Sequence, residues 1–209
     1  MRKQVNEIVK IVAESLPKKI KVLEIGSLIV KGQEHLSVRK YFPDAEYIGV
    51  DMQAGNGVDV VNNCINYCYN HEKEFDLILC LDMLEHAEYP YNVVDIAKDA
   101  LKEDGTLLVT SVFNFPIHEY PNDYWRFTPE CFKMLLGNSS SVYKIGSDLM
   151  PHTVIGTICN KIYIRLYINF CLSAYCEEET KKELKHKAFV DWFPPKFIKL
   201  YIKIKYLFK

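Results

Sequence analysis

Three short apolar runs, each closing on a glycine or a carboxylate, restrict what this chain can become. They are Ile20-Lys-Val-Leu-Glu-Ile-Gly26, Tyr47-Ile-Gly-Val-Asp51 and Phe75-Asp-Leu-Ile-Leu-Cys-Leu-Asp82. Runs this short and this continuously apolar read as strands buried on both faces. Val58–Val61 and Thr106–Val112 add two more, the second after an Asp104-Gly105 turn. Helical spacing fills the gaps. Val5, Ile8, Val9, Val12 and Leu16 form one stripe, ended by Pro17. Gln33–Phe42 is a second expected helix, and Tyr91–Lys102 a third, with Val93, Val94, Ala97, Ala100 and Leu101 on its apolar face. Strands alternating with helices imply an α/β fold: a doubly wound, mostly parallel sheet with helices on both faces. Ligands of such sheets bind beyond the carboxyl ends of the strands. Glu24, Asp51 and Asp82 stand at or near those ends.

After Val112 the pattern changes. Asn114–Pro129 is a long loop rich in Pro, aromatic and polar residues. A helix over Pro129–Leu136 and a strand near Val142–Ser147 follow. We expect residues 1–150 to form the sheet domain and residues 151–209 a hydrophobic, basic extension packed on it. Within the extension, Val154–Cys176 reads as one or two helices and Glu177–Lys187 as a charged link. Phe193-Pro-Pro-Lys196 breaks the structure before a basic, aromatic end at 196–209.

Charge sharpens that division. The 209 residues carry a net charge of −1, which offers no general reason for nucleic-acid binding. Residues 181–209 nevertheless hold nine Lys against Glu183 and Asp191, a net of +7. Residues 196–209 suit either a peripheral anchor on anionic lipid or a packed cap with snorkelling lysines. Val154–Cys176 is broken by Asn160, Lys161, Arg165 and Asn169, so it does not read as a membrane span. The start lacks the apolar block of a signal peptide. The seven cysteines lack metal or redox spacing and read as reduced thiols. These features together imply a cytoplasmic protein.

The first two strand ends suggest a nucleoside. Gly26 lets the backbone turn tightly against a ligand, and Asp51 offers an ionised acceptor for both hydroxyls of a ribose. The dinucleotide fingerprint, however, needs Gly-x-Gly-x-x-Gly. Here Gly26 is followed by Ser27, Leu28, Ile29, Val30, Lys31 and Gly32. A pyrophosphate is poorly served, and a cofactor without phosphates fits better.

Over about residues 20–136 the chain resembles the class I S-adenosylmethionine-dependent methyltransferases, within them the methyltransferase type 11 group. The segments that carry this are Val22-Leu-Glu-Ile-Gly-Ser27, Tyr47–Asp51, Val58-Asp-Val-Val-Asn-Asn63, Phe75–His86 with its Leu-Glu-His end, Leu101–Val109 and Tyr120-Pro-Asn-Asp-Tyr-Trp-Arg-Phe-Thr-Pro129. The resemblance implies S-adenosylmethionine as cofactor. It implies that Glu24, Gly26 and Ser27 form the first loop around the methionine moiety. Asp51 would hold the ribose, Met52 would lie beside the adenine, and Asn63 would face the adenine amine. Leu81 and Asp82 would line the cofactor. The first loop departs from the family pattern, since Leu28 and Val30 stand where glycines are usual.

A sulfonium methyl is already activated, so catalysis is mainly alignment for an in-line displacement. A hydroxyl acceptor also needs its proton removed. The loop after the fifth strand supplies candidates: His118 first, because imidazole titrates near neutral pH, then Tyr120 and Asp123. Tyr124, Trp125, Arg126 and His86 are candidate substrate contacts. Arg126 could instead pair with Glu24 or Asp123, and Trp125 could simply pack the loop. Glu85 and His86 lack further regularly spaced ligands, so no metal is expected. The expected activity is O-methylation of a small-molecule or glycan-type hydroxyl. The alternatives are a non-catalytic adenosyl-ligand-binding regulator and a nicotinamide-dependent oxidoreductase, the latter disfavoured by the missing glycines.

Overall fold

A computed structural model describes residues 2–118 and 122–191. Tyr120 and the basic end at 196–209 lie outside the described residues. The elements run α1 (Lys3–Ser15), β1 (Lys21–Ile25), β2 (Glu46–Asp51), β3 (Val60–Val61), α2 (Cys64–Tyr69), β4 (Phe75–Leu81) and α3 (Pro90–Ala100). β5 (Leu101–Val112), α4 (Pro129–Leu136), β6 (Ser140–Gly146), β7 (Pro151–Cys159) and α5 (Ile162–Asp191) complete them.

The strands form one sheet in the order β3-β2-β1-β4-β5-β7-β6. The first five are parallel; β7 runs antiparallel between β5 and β6. Chain order reverses at β1, with β2 on one side and β4 on the other. Their carboxyl ends therefore splay into the crevice where such sheets take ligands. Side-chain alternation splits the core in two. Leu23, Ile25, Ile78 and Cys80 pack with Val93, Val94 and Ala97 of α3 and Phe132 of α4. Val22, Leu77, Leu79, Leu81 and Leu108 pack with Val5, Ile8, Val9 and Val12 of α1 and Ile168 and Leu172 of α5. The expected doubly wound sheet is thus present.

Several local expectations are corrected. Gln33–Phe42 is not an α-helix but two single 3₁₀ turns, Glu34–Leu36 and Arg39–Tyr41. Side-chain bonds to α1 hold that segment: the Asn6 amide donates to the Leu36 carbonyl at 2.6 Å, and the Tyr41 hydroxyl donates to Asn6 Oδ1 at 2.6 Å. Asp104-Gly105 lies inside β5, where the pairing with β4 slips register between Phe75 and Leu77. Val154–Cys159 belongs to a strand rather than a helix. Val154, Ile155 and Ile158 are buried across both core clusters, as a strand inserted between two neighbours requires. Gly156 lets α4 lie close on this strand, since a Cβ there would press on the Leu136 side chain. The expected boundary at residue 150 therefore falls between two paired strands of one sheet. Glu177–Lys187 is no link but part of α5, where Lys181–Glu177 and Lys182–Glu178 pair one turn apart at 2.5 and 2.7 Å. All seven cysteines are free. Among the described residues no helix is long and apolar enough to cross a membrane.

Candidate active site

A cavity of about 930 Å³ opens beyond the carboxyl ends of β1, β2 and β4. Its size lies within the ~300–1,000 Å³ usual for small-molecule sites. Gly26 turns the chain out of β1 at φ +76°, in the left-handed region, with its N–H on the Val50 carbonyl at 2.9 Å. A Cβ there would sit 2.9 Å from Met83 Cβ, so the turn needs glycine on both counts. Ser27 follows, fully buried, and its hydroxyl has no hydrogen-bond partner among the described residues. The missing glycines are replaced by other anchors. The Leu28 N–H donates to Asp51 Oδ2 at 3.2 Å, and the Ile29 N–H donates to the Asn56 carbonyl at 2.8 Å.

Asp51 closes β2. Besides Leu28, it receives the Gln53 N–H on Oδ1 at 2.9 Å, so each oxygen keeps a lone pair for a ligand. Met52 beside it is 72% exposed and lines the cavity. Asn63 also lines it, but its Oδ1 caps α2 by accepting the Ile65 N–H at 2.9 Å. Glu24 is buried below this rim and receives the Tyr47 hydroxyl at 2.7 Å. Burial pushes its carboxyl up to about 7, against the opposing effect of that hydrogen bond.

At the end of β4, Leu81 lines the wall and Asp82 adopts φ +48°. Asp82 is gripped by a residue that shows no motif in the sequence. Arg2, at the start of α1, donates Nε to Oδ2 at 2.9 Å and Nη2 to Oδ1 at 2.6 Å, and the Thr110 hydroxyl adds a third bond at 3.0 Å. Burial alone would raise the Asp82 carboxyl; the Arg2 guanidinium outweighs it and holds Asp82 below its ordinary range. Glu85 lies one 3₁₀ turn on and is fully buried. Its Oε2 accepts the Ser111 hydroxyl at 2.6 Å, while Oε1 has no partner among the described residues. Burial, then the charge of Asp82, pushes Glu85 up to about 7.

The loop after β5 is tied onto the Leu84–Glu88 turn. The Tyr124 N–H donates to the Glu85 carbonyl at 2.8 Å, and Trp125 Nε1 donates to the Ala87 carbonyl at 2.9 Å. His86 Nδ1 lies 2.6 Å from the Asn122 carbonyl. Asp123, its side chain almost wholly buried, is clamped by both Arg126 Nη atoms and receives the His118 N–H at 2.8 Å. The Arg126 bonds hold its carboxyl well below the usual range. Of the two roles open to Arg126, the structure shows the pairing with Asp123. His118 Nδ1 lies 3.1 Å from Asp123 Oδ2, and its ring meets that of His86 edge-on with centroids 4.8 Å apart. His86, His118, Asn122 and Tyr124 all line the same cavity as Gly26 and Asp51.

Residues 1–135 match a protein family described as a methyltransferase domain. The chain belongs to this family. The expected class I S-adenosylmethionine-dependent methyltransferase is thereby borne out, and the fold agrees. The methyltransferase superposes on a SAM-dependent methyltransferase from Archaeoglobus fulgidus with a TM-score of 0.57 at 16% identity, covering 75% of this chain and 93% of that one. It superposes on the 1,6-didemethyltoxoflavin-N1-methyltransferase of Burkholderia thailandensis with a TM-score of 0.56 at 14% identity, over 74% and 77%. Curated relatives match over shorter stretches. A ubiquinone biosynthesis O-methyltransferase of Glaesserella parasuis serovar 5 (strain SH0165) is 35% identical over 46 residues, 22% of this methyltransferase and 20% of that protein. One from Actinobacillus pleuropneumoniae serotype 5b (strain L20) is 30% identical over 79 residues, 38% and 32%. The matched stretch thus spans about a fifth to a third of those relatives' length.

Proposed function

We propose that the chain binds S-adenosylmethionine in this cavity and O-methylates a small-molecule or glycan-type hydroxyl. One observation carries the reading: a single cavity joins a glycine-turned strand end and Asp51 to the paired imidazoles of His86 and His118. The residues present fit the cofactor. The turn at Gly26 has no room for a side chain, Ser27 holds a buried hydroxyl with no partner among the described residues, and Asp51 keeps lone pairs for a ribose. Bound S-adenosylmethionine supplies a methyl group already activated on a sulfonium.

The chain's own residues then divide the work. Asp51 orients the nucleoside, with Met52 and Asn63 at the adenine rim. Leu81 and the Arg2-neutralised Asp82 shape the floor beneath the methionine part, next to Glu24. His118 is the base. A carboxylate can only accept, so Nδ1 carries the proton toward Asp123 and leaves the Nε2 lone pair for an acceptor hydroxyl. Asp123 and Arg126 position that ring, and Tyr124 and His86 border the acceptor; Trp125 does not line the cavity and anchors the loop through the Ala87 carbonyl. The name of the curated relatives, O-methyltransferases, supports oxygen as the atom methylated.

Calorimetry with S-adenosylhomocysteine, S-adenosylmethionine and NAD tests the first half. Binding of the adenosyl ligands but not NAD is expected; an intact fold that ignores both adenosyl ligands would overturn it. Screening hydroxylated acceptors for methyl incorporation tests the second half. Adenosyl binding without transfer to any acceptor class would favour a regulatory binder.

A further inference from the structure

We infer that Glu85, His86 and His118 form a site for one divalent first-row transition-metal ion in the wall of the cavity. One donor atom from each of the three lies within 4.8 Å of the other two. Glu85 adds an independent sign. It is fully buried, yet Oε1 has no hydrogen-bond partner among the described residues. A buried carboxylate oxygen left unpaired costs stability that a cation would return. Ser111 already fixes the other oxygen at 2.6 Å and so orients the group.

Both histidines are held as metal-binding histidines are. A carbonyl can only accept, so His86 Nδ1 donates to Asn122 and the lone pair is left on Nε2. His118 Nδ1 faces the Pro116 carbonyl at 3.2 Å and the Asp123 carboxylate at 3.1 Å, which fixes the same tautomer. A carboxylate behind the imidazole is the usual outer support of a metal-bound histidine. Arg126 pins that carboxylate in turn. Two imidazoles and one carboxylate select zinc, manganese, iron or cobalt over magnesium or calcium, which prefer all-oxygen sets. Three protein ligands leave at least one position open.

The open position faces the cavity that also holds Asp51. There the ion takes the oxygen of the acceptor hydroxyl: the metal–oxygen bond forms, the O–H bond breaks and the proton passes to solvent water. In the ion-loaded chain the Nε2 lone pair of His118 is spent on the metal; in the ion-free chain it remains the base proposed above. This last step rests on the methyl-transfer reading above; the ion site itself does not.

The test is titration of the chelator-treated full chain with zinc by calorimetry and with cobalt by visible absorption, magnesium serving as control. One ion per chain is expected, with a d–d spectrum of nitrogen and oxygen ligation for cobalt and no magnesium heat. His86→Ala and His118→Ala should each weaken zinc at least tenfold. Absence of stoichiometric zinc binding, or zinc affinity in both alanine variants unchanged from that of the parent chain, would overturn the inference. S-adenosylhomocysteine binding measured on the same samples separates the two readings. Adenosyl binding without zinc binding removes only the ion site; zinc binding without adenosyl binding removes only the methyl-transfer reading.

Discussion

Arg2 and Asp82 join the first helix to the end of the fourth strand through a two-pronged ion pair, Nε to Oδ2 at 2.9 Å and Nη2 to Oδ1 at 2.6 Å. Both side chains are largely shielded from water, and Arg2 also reaches Thr153 on β7. The pair therefore ties α1, β4 and β7 together at the cavity floor. Removing one partner strands the other charge. Arg2→Ala should cost about 3–5 kcal/mol, the usual penalty for a broken buried pair. Urea unfolding would measure it. A loss below about 1 kcal/mol would mean that Asp82 finds water instead.

Glu24 makes stability depend on pH. Its folded carboxyl is pushed up to about 7 from an ordinary 4.5. Between those values the unfolded chain has lost the proton and the folded chain still holds it. The contribution of Glu24 to stability should therefore fall as pH rises from about 4.5 to about 7, then level off. The total for this one group is on the order of 3 kcal/mol. Glu24→Gln keeps the neutral shape and should remove that loss. Melting curves at pH 5 and pH 8 should show the variant gaining on the parent chain at the higher pH; a parallel shift at both would refute the assignment.

Gly26 is tested by a single methyl. Alanine there meets both a left-handed φ and the Met83 side chain at 2.9 Å. Gly26→Ala should destabilise by about 1–2 kcal/mol from backbone strain and weaken S-adenosylhomocysteine binding. Gly32→Ala is the control, since it shares the positive φ but meets nothing within 4 Å among the described residues. Equal losses of ligand binding in the two variants would show that the turn's conformation matters and its closeness to Met83 does not.

What could be read from the sequence was what is local. β1, β2 and β4 were legible because each is a short apolar run with its own stop, and Glu24, Asp51 and Asp82 came with them. β7 was misread because Val154–Cys159 runs nearly straight into α5. Periodicity alone does not separate a buried strand from a buried helix. Its deciding feature is pairing with β5, far back in the chain. The same distance hid Arg2, which gains meaning only when α1 lies over the end of β4. Likewise no spacing rule links Glu85 and His86 to His118; the loop after β5 must first fold back through Tyr124 and Trp125.

On the proposed reading, Asp51 serves binding and His118 serves chemistry within one cavity. Asp51→Ala removes the acceptor proposed for the ribose and also frees the N–H groups of Leu28 and Gln53. Two charge-assisted hydrogen bonds at about 1.5 kcal/mol each predict about a hundredfold loss of S-adenosylhomocysteine affinity. His118→Ala touches neither bond. It should leave that affinity within about twofold and slow turnover on any accepted hydroxyl by about 10²–10⁴-fold, the range for a lost base. Calorimetry and methyl-incorporation rates on the two variants check both halves. A turnover rate that survives His118→Ala would remove His118 from catalysis. The fixed tautomer toward Asp123 would then serve only to hold the loop.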